Sequence, residues 1–302
     1  MSVEPRASLL ERVGRWNLRR LGAGSRTDVV TPAGGGPPTE LHAFVFDPHP
    51  AAPPDAPPLV LMHGVGSSAT TFARLLKRLR PHFGRIFVPE APAHGGSAVP
   101  PSPMTPDALF ALVQVWLDSV PDGPFVLYGN SLGGGASLRY AATRPERVRA
   151  LILLSPAGAH GDDGELDALV KSFAMERPAD AAAFMGRLFE RPRWYHRFAG
   201  NELRRRFHSA PLREFFAGVG KNDLLDPALV RGLPMPVLLL WGEAERLLPD
   251  SHRRWFTLHL PSHAQVVSPP HFAHSAYIEH PDDLAQLALG FLGAHGIVPP
   301  PR

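Results

Sequence analysis

An apolar run, Phe125-Val126-Leu127-Tyr128, passes directly into Gly129-Asn130-Ser131-Leu132-Gly133 and then into a helical pattern, Leu132 to Thr143. That context, a strand, then G-x-S-x-G, then a helix, is what a tight turn presenting a nucleophilic serine requires. The turn must hold Ser131 in strained backbone, and the flanking glycines remove Cβ atoms that would collide there. Such a junction lifts the Ser131 hydroxyl above the sheet and aims backbone N–H groups at whatever the hydroxyl attacks. The alternative is a plain Gly/Ser-rich turn, which the strand before it and the helix after it argue against.

The surrounding chain keeps the same rhythm. Leu59-Val60-Leu61-Met62 reads as a buried strand, and Phe72, Leu75, Leu76 and Leu79 mark one helix face at i, i+3, i+4 and i+7. Arg85 to Val88 is the next strand, followed by a helix around Thr105 to Ser119. Val148 to Leu154, Val237 to Trp241 and the region Ala264 to Val267 complete the strands. A last helix has Leu284, Leu287, Ala288, Phe291 and Leu292 on its inner face. This alternation predicts an α/β fold with a mostly parallel central sheet flanked by helices.

Two stretches depart from that rhythm. Residues 16–48 hold short strand-like runs that read as an antiparallel lead-in, and Pro48 to Pro58 is too rich in proline for a central strand. From Pro156 to Gly232 the pattern is helical and aromatic, with Phe173, Phe184, Phe189, Trp194, Tyr195, Phe198, Phe207, Phe215 and Phe216. The predicted organisation is therefore a core of residues 1–155 and 233–302 with a helical cap inserted at 156–232. The cap would sit over the strand C-termini, where open α/β sheets bind ligands. Its aromatics either line a pocket or form the cap's own core.

Charge and cysteine content narrow the function classes. Residues 1–26 hold six arginines against two glutamates, on a 302-residue chain whose net charge is only +3. Basic character confined to one end gives no support to a nucleic-acid role. Within that arm Leu9, Val13 and Trp16 fall at helical spacing. The arm is expected to pack on the body of its own protein, with a weak membrane-surface or anionic-partner contact as the alternative. There is no cysteine, hence no disulfide, thiolate metal site or cysteine nucleophile. No run resembles a signal peptide or spans a bilayer, and a cytoplasmic location is the default expectation.

A serine nucleophile needs an oxyanion hole, a base and an orienting acid. His63-Gly64-Val65-Gly66 follows a strand, and its glycines allow close backbone approach. The Val65 N–H could thus converge with that of Leu132. The acid belongs on a loop after a strand, which points to Glu245, with Glu243 in reserve, in Gly242-Glu243-Ala244-Glu245-Arg246. Among 15 histidines, position favours His274 as the base, ahead of the final helix, with His271 behind it. His63 precedes the hole-forming turn and reads as a structural hydrogen-bonding residue.

Together these segments resemble the α/β-hydrolase superfamily, in its cap-bearing, esterase-like branch, from about Leu41 to Leu292. The matching motifs are His63-Gly64-x-Gly66, Glu90 to Ser97, Gly129-x-Ser131-x-Gly133-Gly134, Trp241 to Glu245, and His274 with Glu279-x-Pro281. The resemblance implies a serine hydrolase acting on a carboxylic ester or related acyl substrate, a small molecule, with no metal or organic cofactor. It also implies that His94 is a structural turn residue. The chain departs from the family pattern at Glu245 and Glu90, where Asp is usual, and at Ala93 and Ala273, where Gly is usual. Two other activities fit the fold. One is carbon–carbon bond hydrolysis of the ring-cleavage-product type, argued against by the lack of a Trp soon after His274. The other is a non-catalytic small-ligand receptor.

Overall fold

The computed structural model describes residues 8–32, 34–101, 103–193 and 196–299, without the side chains of residues 196–198. Glu4 and Arg6 of the basic arm, and Trp194 and Tyr195 of the aromatic stretch, lie outside the described residues, as does the Phe198 side chain. The chain opens with α1 (Leu9–Arg20), β1 (Ala23–Val30) and β2 (Thr39–Phe46). It continues through β3 (Leu59–Met62), α2 (Ala73–Leu79), β4 (Ile86–Pro89), α3 (Pro106–Asp118), β5 (Phe125–Asn130), α4 (Leu132–Thr143) and β6 (Val148–Leu154). Five helices follow with no strand between them: α5 (Glu165–Ser172), α6 (Pro178–Leu188), α7 (His196–Phe207), α8 (Ala210–Gly218) and α9 (Pro227–Arg231). The chain then returns through β7 (Val237–Leu240), α10 (Asp250–His259), β8 (Gln265–Val267), α11 (Ala276–Glu279) and α12 (Pro281–Ala294).

The eight strands form one sheet in the order β1-β2-β4-β3-β5-β6-β7-β8. β1 and β2 are antiparallel to their neighbours, as the lead-in predicts, and every pairing from β4 to β8 is parallel. The lead-in is shorter than expected, because residues 16–20 belong to α1.

The unbroken apolar runs of the central strands follow from burial on both faces. Val60, Met62, Phe125 and Leu127 point into one core, which α3, α4 and the α5–α9 segment cover. Leu59, Leu61, Val126 and Tyr128 alternate into a second core under α2 and α12. Of the aromatic segment, Phe173, Phe184, Phe207 and Phe215 join the first core. The Phe173 ring stacks on Phe216 at 4.5 Å and touches Phe184 and Phe207 at 5.3 Å each.

α1 packs on the body, but through the opposite face from the one its spacing suggests. Glu11 and Leu18 are buried, while Leu9, Val13 and Trp16 are exposed. Polar partners on the body, described below, compete successfully for the inner face. Among the described residues no helix is long and apolar enough to cross a membrane.

Candidate active site

Ser131 sits between β5 and α4 with φ 53° and ψ −122°, a conformation that disfavours side chains. The sequence supports it with glycines placed where backbones meet. A Cβ on Gly133 would lie 2.5 Å from the Met62 carbonyl oxygen and 2.6 Å from that of His63. One on Gly129 would meet the Gly133 carbonyl at 2.5 Å. The turn is tied down by its carbonyl, since Ser131 O accepts from the N–H groups of Gly135 (3.0 Å) and Ala157 (2.9 Å). These bonds oppose the strain, which is of order 1–3 kcal/mol for such a residue.

The turn after β3 presses against the serine. A Cβ on Gly64 would stand 3.1 Å from Ser131 Cβ, so the backbone approaches as closely as its glycine permits. Two buried histidines shape this turn. His63 Nδ1 donates to Gly64 O (2.8 Å) and its Nε2 accepts from Ala91 N–H (3.1 Å). His94 Nδ1 donates to Pro92 O (2.8 Å), and its Nε2 accepts from Gly66 N–H (2.9 Å). Both rings are held neutral, with burial the main cause, and His94 falls to about 3. With both nitrogens occupied, neither can serve as a base. Gly66 N–H is spent on His94, whereas Val65 N–H has no hydrogen bond among the described residues. Leu132, the first residue of α4, has an N–H with no partner inside its helix.

The loops after β7 and β8 meet because Gly242 has no side chain, for a Cβ there would fall 1.8 Å from Phe272 O. This contact brings His274 Nδ1 to 2.9 Å from Glu245 Oε2, with side-chain exposures of only 6% and 2%. Glu245 Oε1 accepts from the N–H groups of Leu247 (2.7 Å) and Leu248 (3.1 Å). Burial pushes the Glu245 carboxyl up, but the charge and hydrogen bond of His274 outweigh it and hold the group below the usual range. In the neutral imidazole, His274 Nδ1–H donates to this carboxylate and Nε2 is the nitrogen without a proton. The longer glutamate is accommodated because its second oxygen caps the Leu247–Leu248 turn. Glu243 is exposed, and His271 is exposed and lies 3.5 Å from Glu190, so neither belongs to this cluster.

Two further residues have roles that their motifs do not reveal. Asn130 Nδ2 donates to Leu154 O (3.1 Å) and to His274 O (3.2 Å), which ties the serine's strand to the histidine's loop. Glu90 is buried in a polar knot, its Oε2 accepting from His42 Nδ1 (2.9 Å), Arg15 Nη2 (2.5 Å) and Gly96 N–H (2.7 Å). Its carboxylate, carried one methylene further out than an aspartate's, fills the space left by Gly95. Ala93 adopts φ 61°, a left-handed turn at the position where the family pattern has glycine.

Two cavities open on Ser131. The larger, about 410 Å³, is lined by Val65, Phe184, Leu203 and His274, and α1 contributes Leu10 and Val13 to it. The smaller, about 140 Å³, runs between α3, α5 and α8 and is lined by Leu132, Phe110, Val170 and Phe215. Val65 and Phe173 border both. Among the described residues no group of three or more His, Asp or Glu side chains is placed to hold a metal ion.

Comparison with known proteins agrees with this architecture. The family model described as the alpha/beta hydrolase fold matches residues 57–281. The chain is similar to a 2-hydroxy-6-oxo-6-(2'-aminophenyl)hexa-2,4-dienoic acid hydrolase of Metapseudomonas resinovorans, 26% identical over 78% of this chain and 83% of that protein. It is similar to a pimeloyl-[acyl-carrier protein] methyl ester esterase of Yersinia enterocolitica, 28% identical over 77% of this chain and 92% of the other. Among solved structures it resembles a bacterial membrane phospholipase A in fold, with TM-score 0.78, 22% identity, and coverage of 94% and 91% of the two chains.

Proposed function

The chain belongs to the α/β-hydrolase family and is a hydrolase, and from that premise we propose that it cleaves a carboxylic ester or related acyl substrate with an apolar group through a Ser131 acyl-enzyme. The observation that carries this reading is the buried His274–Glu245 pair at 2.9 Å, whose His274 lines the same cavity as Ser131. With its Nδ1 proton held by Glu245, His274 offers Nε2 to the Ser131 hydroxyl. The hydroxyl attacks the carbonyl carbon as its proton passes to His274. The negative charge forming on the carbonyl oxygen is received by the Val65 and Leu132 N–H groups. The tetrahedral species collapses, the alcohol leaves with the proton from His274, and an acyl-Ser131 remains. Water, activated by the same imidazole, repeats the sequence and frees the acid.

Residues 156–232 act as a cap in this reading, and the two cavities divide the substrate at Ser131. Their apolar linings favour hydrocarbon groups on both sides of the scissile bond. Carbon–carbon bond hydrolysis stands as the second reading, favoured by the similarity to the dienoic acid hydrolase.

Burst kinetics separate the two. An activated aryl ester is expected to release about one equivalent of aryl alcohol rapidly, with Ser131→Ala abolishing both burst and turnover. A dienoic ring-cleavage product turned over far faster than any ester would overturn the acyl-ester reading.

A further inference from the structure

α1 is an inverted amphipathic helix. Its inner face is Glu11, Gly14, Arg15 and Leu18, of which only Leu18 is a large apolar residue. That face is held by charge. Glu11 accepts from Arg15 Nε (3.1 Å), from Arg206 Nη2 of α7 (3.0 Å) and from the Ser68 hydroxyl (3.1 Å), and Arg15 continues to Glu90. The outward face carries Leu9, Leu10, Val13 and Trp16, exposed by 74%, 57%, 53% and 56%. A helix on a protein surface ordinarily turns such a stripe inward.

The same outward face holds Arg12, Arg19 and Arg20 and no carboxylate, because the helix's one acid, Glu11, is turned in. The Arg20 guanidinium lies over the Trp16 ring, 4.7 Å from its centroid. Four of the eight large apolar side chains exposed among the described residues fall within residues 9–16. Leu10 and Val13 also line the 410 Å³ cavity, beside Glu11, Glu202 and Arg206, so the apolar face borders the chamber that holds Ser131.

We propose that α1 is a docking surface for an anionic lipid bilayer and sets the cavity mouth against it. Apolar side chains with interleaved cations on an otherwise acid-free face match a helix lying in the plane of the interface. There the hydrocarbon enters the acyl boundary, while long arginines reach back to the phosphates. A second copy of the chain fits less well. A twofold pairing through this face would set the arginines of one helix near those of its partner, with no carboxylate between them.

Vesicle co-sedimentation of the full chain tests this, and it reads binding independently of the serine chemistry because Ser131→Ala protein is expected to bind equally. Three interfacial arginines predict partitioning to phosphatidylcholine–phosphatidylglycerol vesicles on the order of 100-fold stronger than to phosphatidylcholine alone. Leu9→Ser/Trp16→Ser and Arg12→Gln/Arg19→Gln/Arg20→Gln should each lower anionic partitioning at least roughly tenfold. Both variants should melt at the wild-type temperature, since all the altered side chains are exposed. No partitioning, or variants that bind as the wild type does, would overturn the proposal. So would a dimer in light scattering that Leu9→Ser/Trp16→Ser dissolves in a protein that ignores vesicles.

Discussion

Replacing Glu245 by glutamine changes one atom and one charge, and the structure says which proton is then misplaced. Glu245 Oε1 accepts two backbone N–H groups, at 2.7 and 3.1 Å, so the glutamine must point its carbonyl oxygen there. An NH2 in that place would face two donors. The amide nitrogen is left opposite His274 Nδ1, at the 2.9 Å now spanned by the carboxylate. Since that nitrogen can only donate, Nδ1 must accept, and the imidazole proton moves to Nε2. A protonated Nε2 cannot take the Ser131 proton. A misdirected tautomer of this kind costs on the order of 10,000-fold in kcat, or about 5.4 kcal/mol of transition-state stabilisation.

The fold should survive the change, because every hydrogen bond around residue 245 keeps a partner. Exchanging a charge-assisted bond for a neutral one costs roughly 1 kcal/mol, a few degrees of melting temperature. The assay is pre-steady-state acylation by an activated aryl ester, beside a thermal melt. Glu243→Gln is the control, expected within about twofold of wild type because Glu243 is exposed and bonds nothing in the cluster. Glu245→Gln acylating within about tenfold of wild type, or Glu243→Gln losing as much, would refute the reasoning.

Two further outcomes follow from the same geometry. Gly133→Ala forces a Cβ to within 2.5 and 2.6 Å of two carbonyl oxygens that belong to β3 and its exit, so neither can retreat cheaply. A loss of roughly 3 kcal/mol or more in urea unfolding is expected, and an unchanged midpoint would refute the packing. Acid should weaken the fold in two stages. Burial keeps the His94 proton off until about 3, while the unfolded imidazole takes it near 6.5. Glu90, despite burial, is held to about 2 by His42, Arg15 and Gly96 N–H, against 4.5 unfolded. In both cases the unfolded chain protonates first, so stability is full above pH 6.5 and declines from there as pH falls. The slope should approach about 1.4 kcal/mol per pH unit from His94 and steepen below 4.5 as Glu90 joins. Urea midpoints that stay level from pH 7 to pH 5 would contradict this.

Much of the candidate site is legible locally, because its constraints are local. A strand-to-helix junction this tight tolerates only glycine at 129 and 133, so the strain announces itself in the residues that relieve it. The parallel strands are legible for a similar reason: burial on both faces requires unbroken apolar runs. What composition and spacing cannot supply is the outcome of distant encounters. Asn130 bonds a carbonyl 144 positions away, and the choice of Glu245 over Glu243 depends on which carboxylate faces His274, 29 positions on.

α1 draws the same line most sharply. Its helical spacing is evident from Leu9, Val13 and Trp16, and that spacing alone suggests an apolar face turned inward. The fold instead sets Arg206, Ser68 and Glu90 beneath it, and those partners hold Glu11 and Arg15 more firmly than any pocket holds the apolar stripe. By itself the sequence determined the helix, the parallel sheet and a serine raised on a strained turn, since each is written in the order of neighbouring residues. Only the tertiary structure decided which carboxylate meets the histidine, how two cavities divide at Ser131 and which face of α1 meets solvent, because those depend on which distant groups compete for each surface.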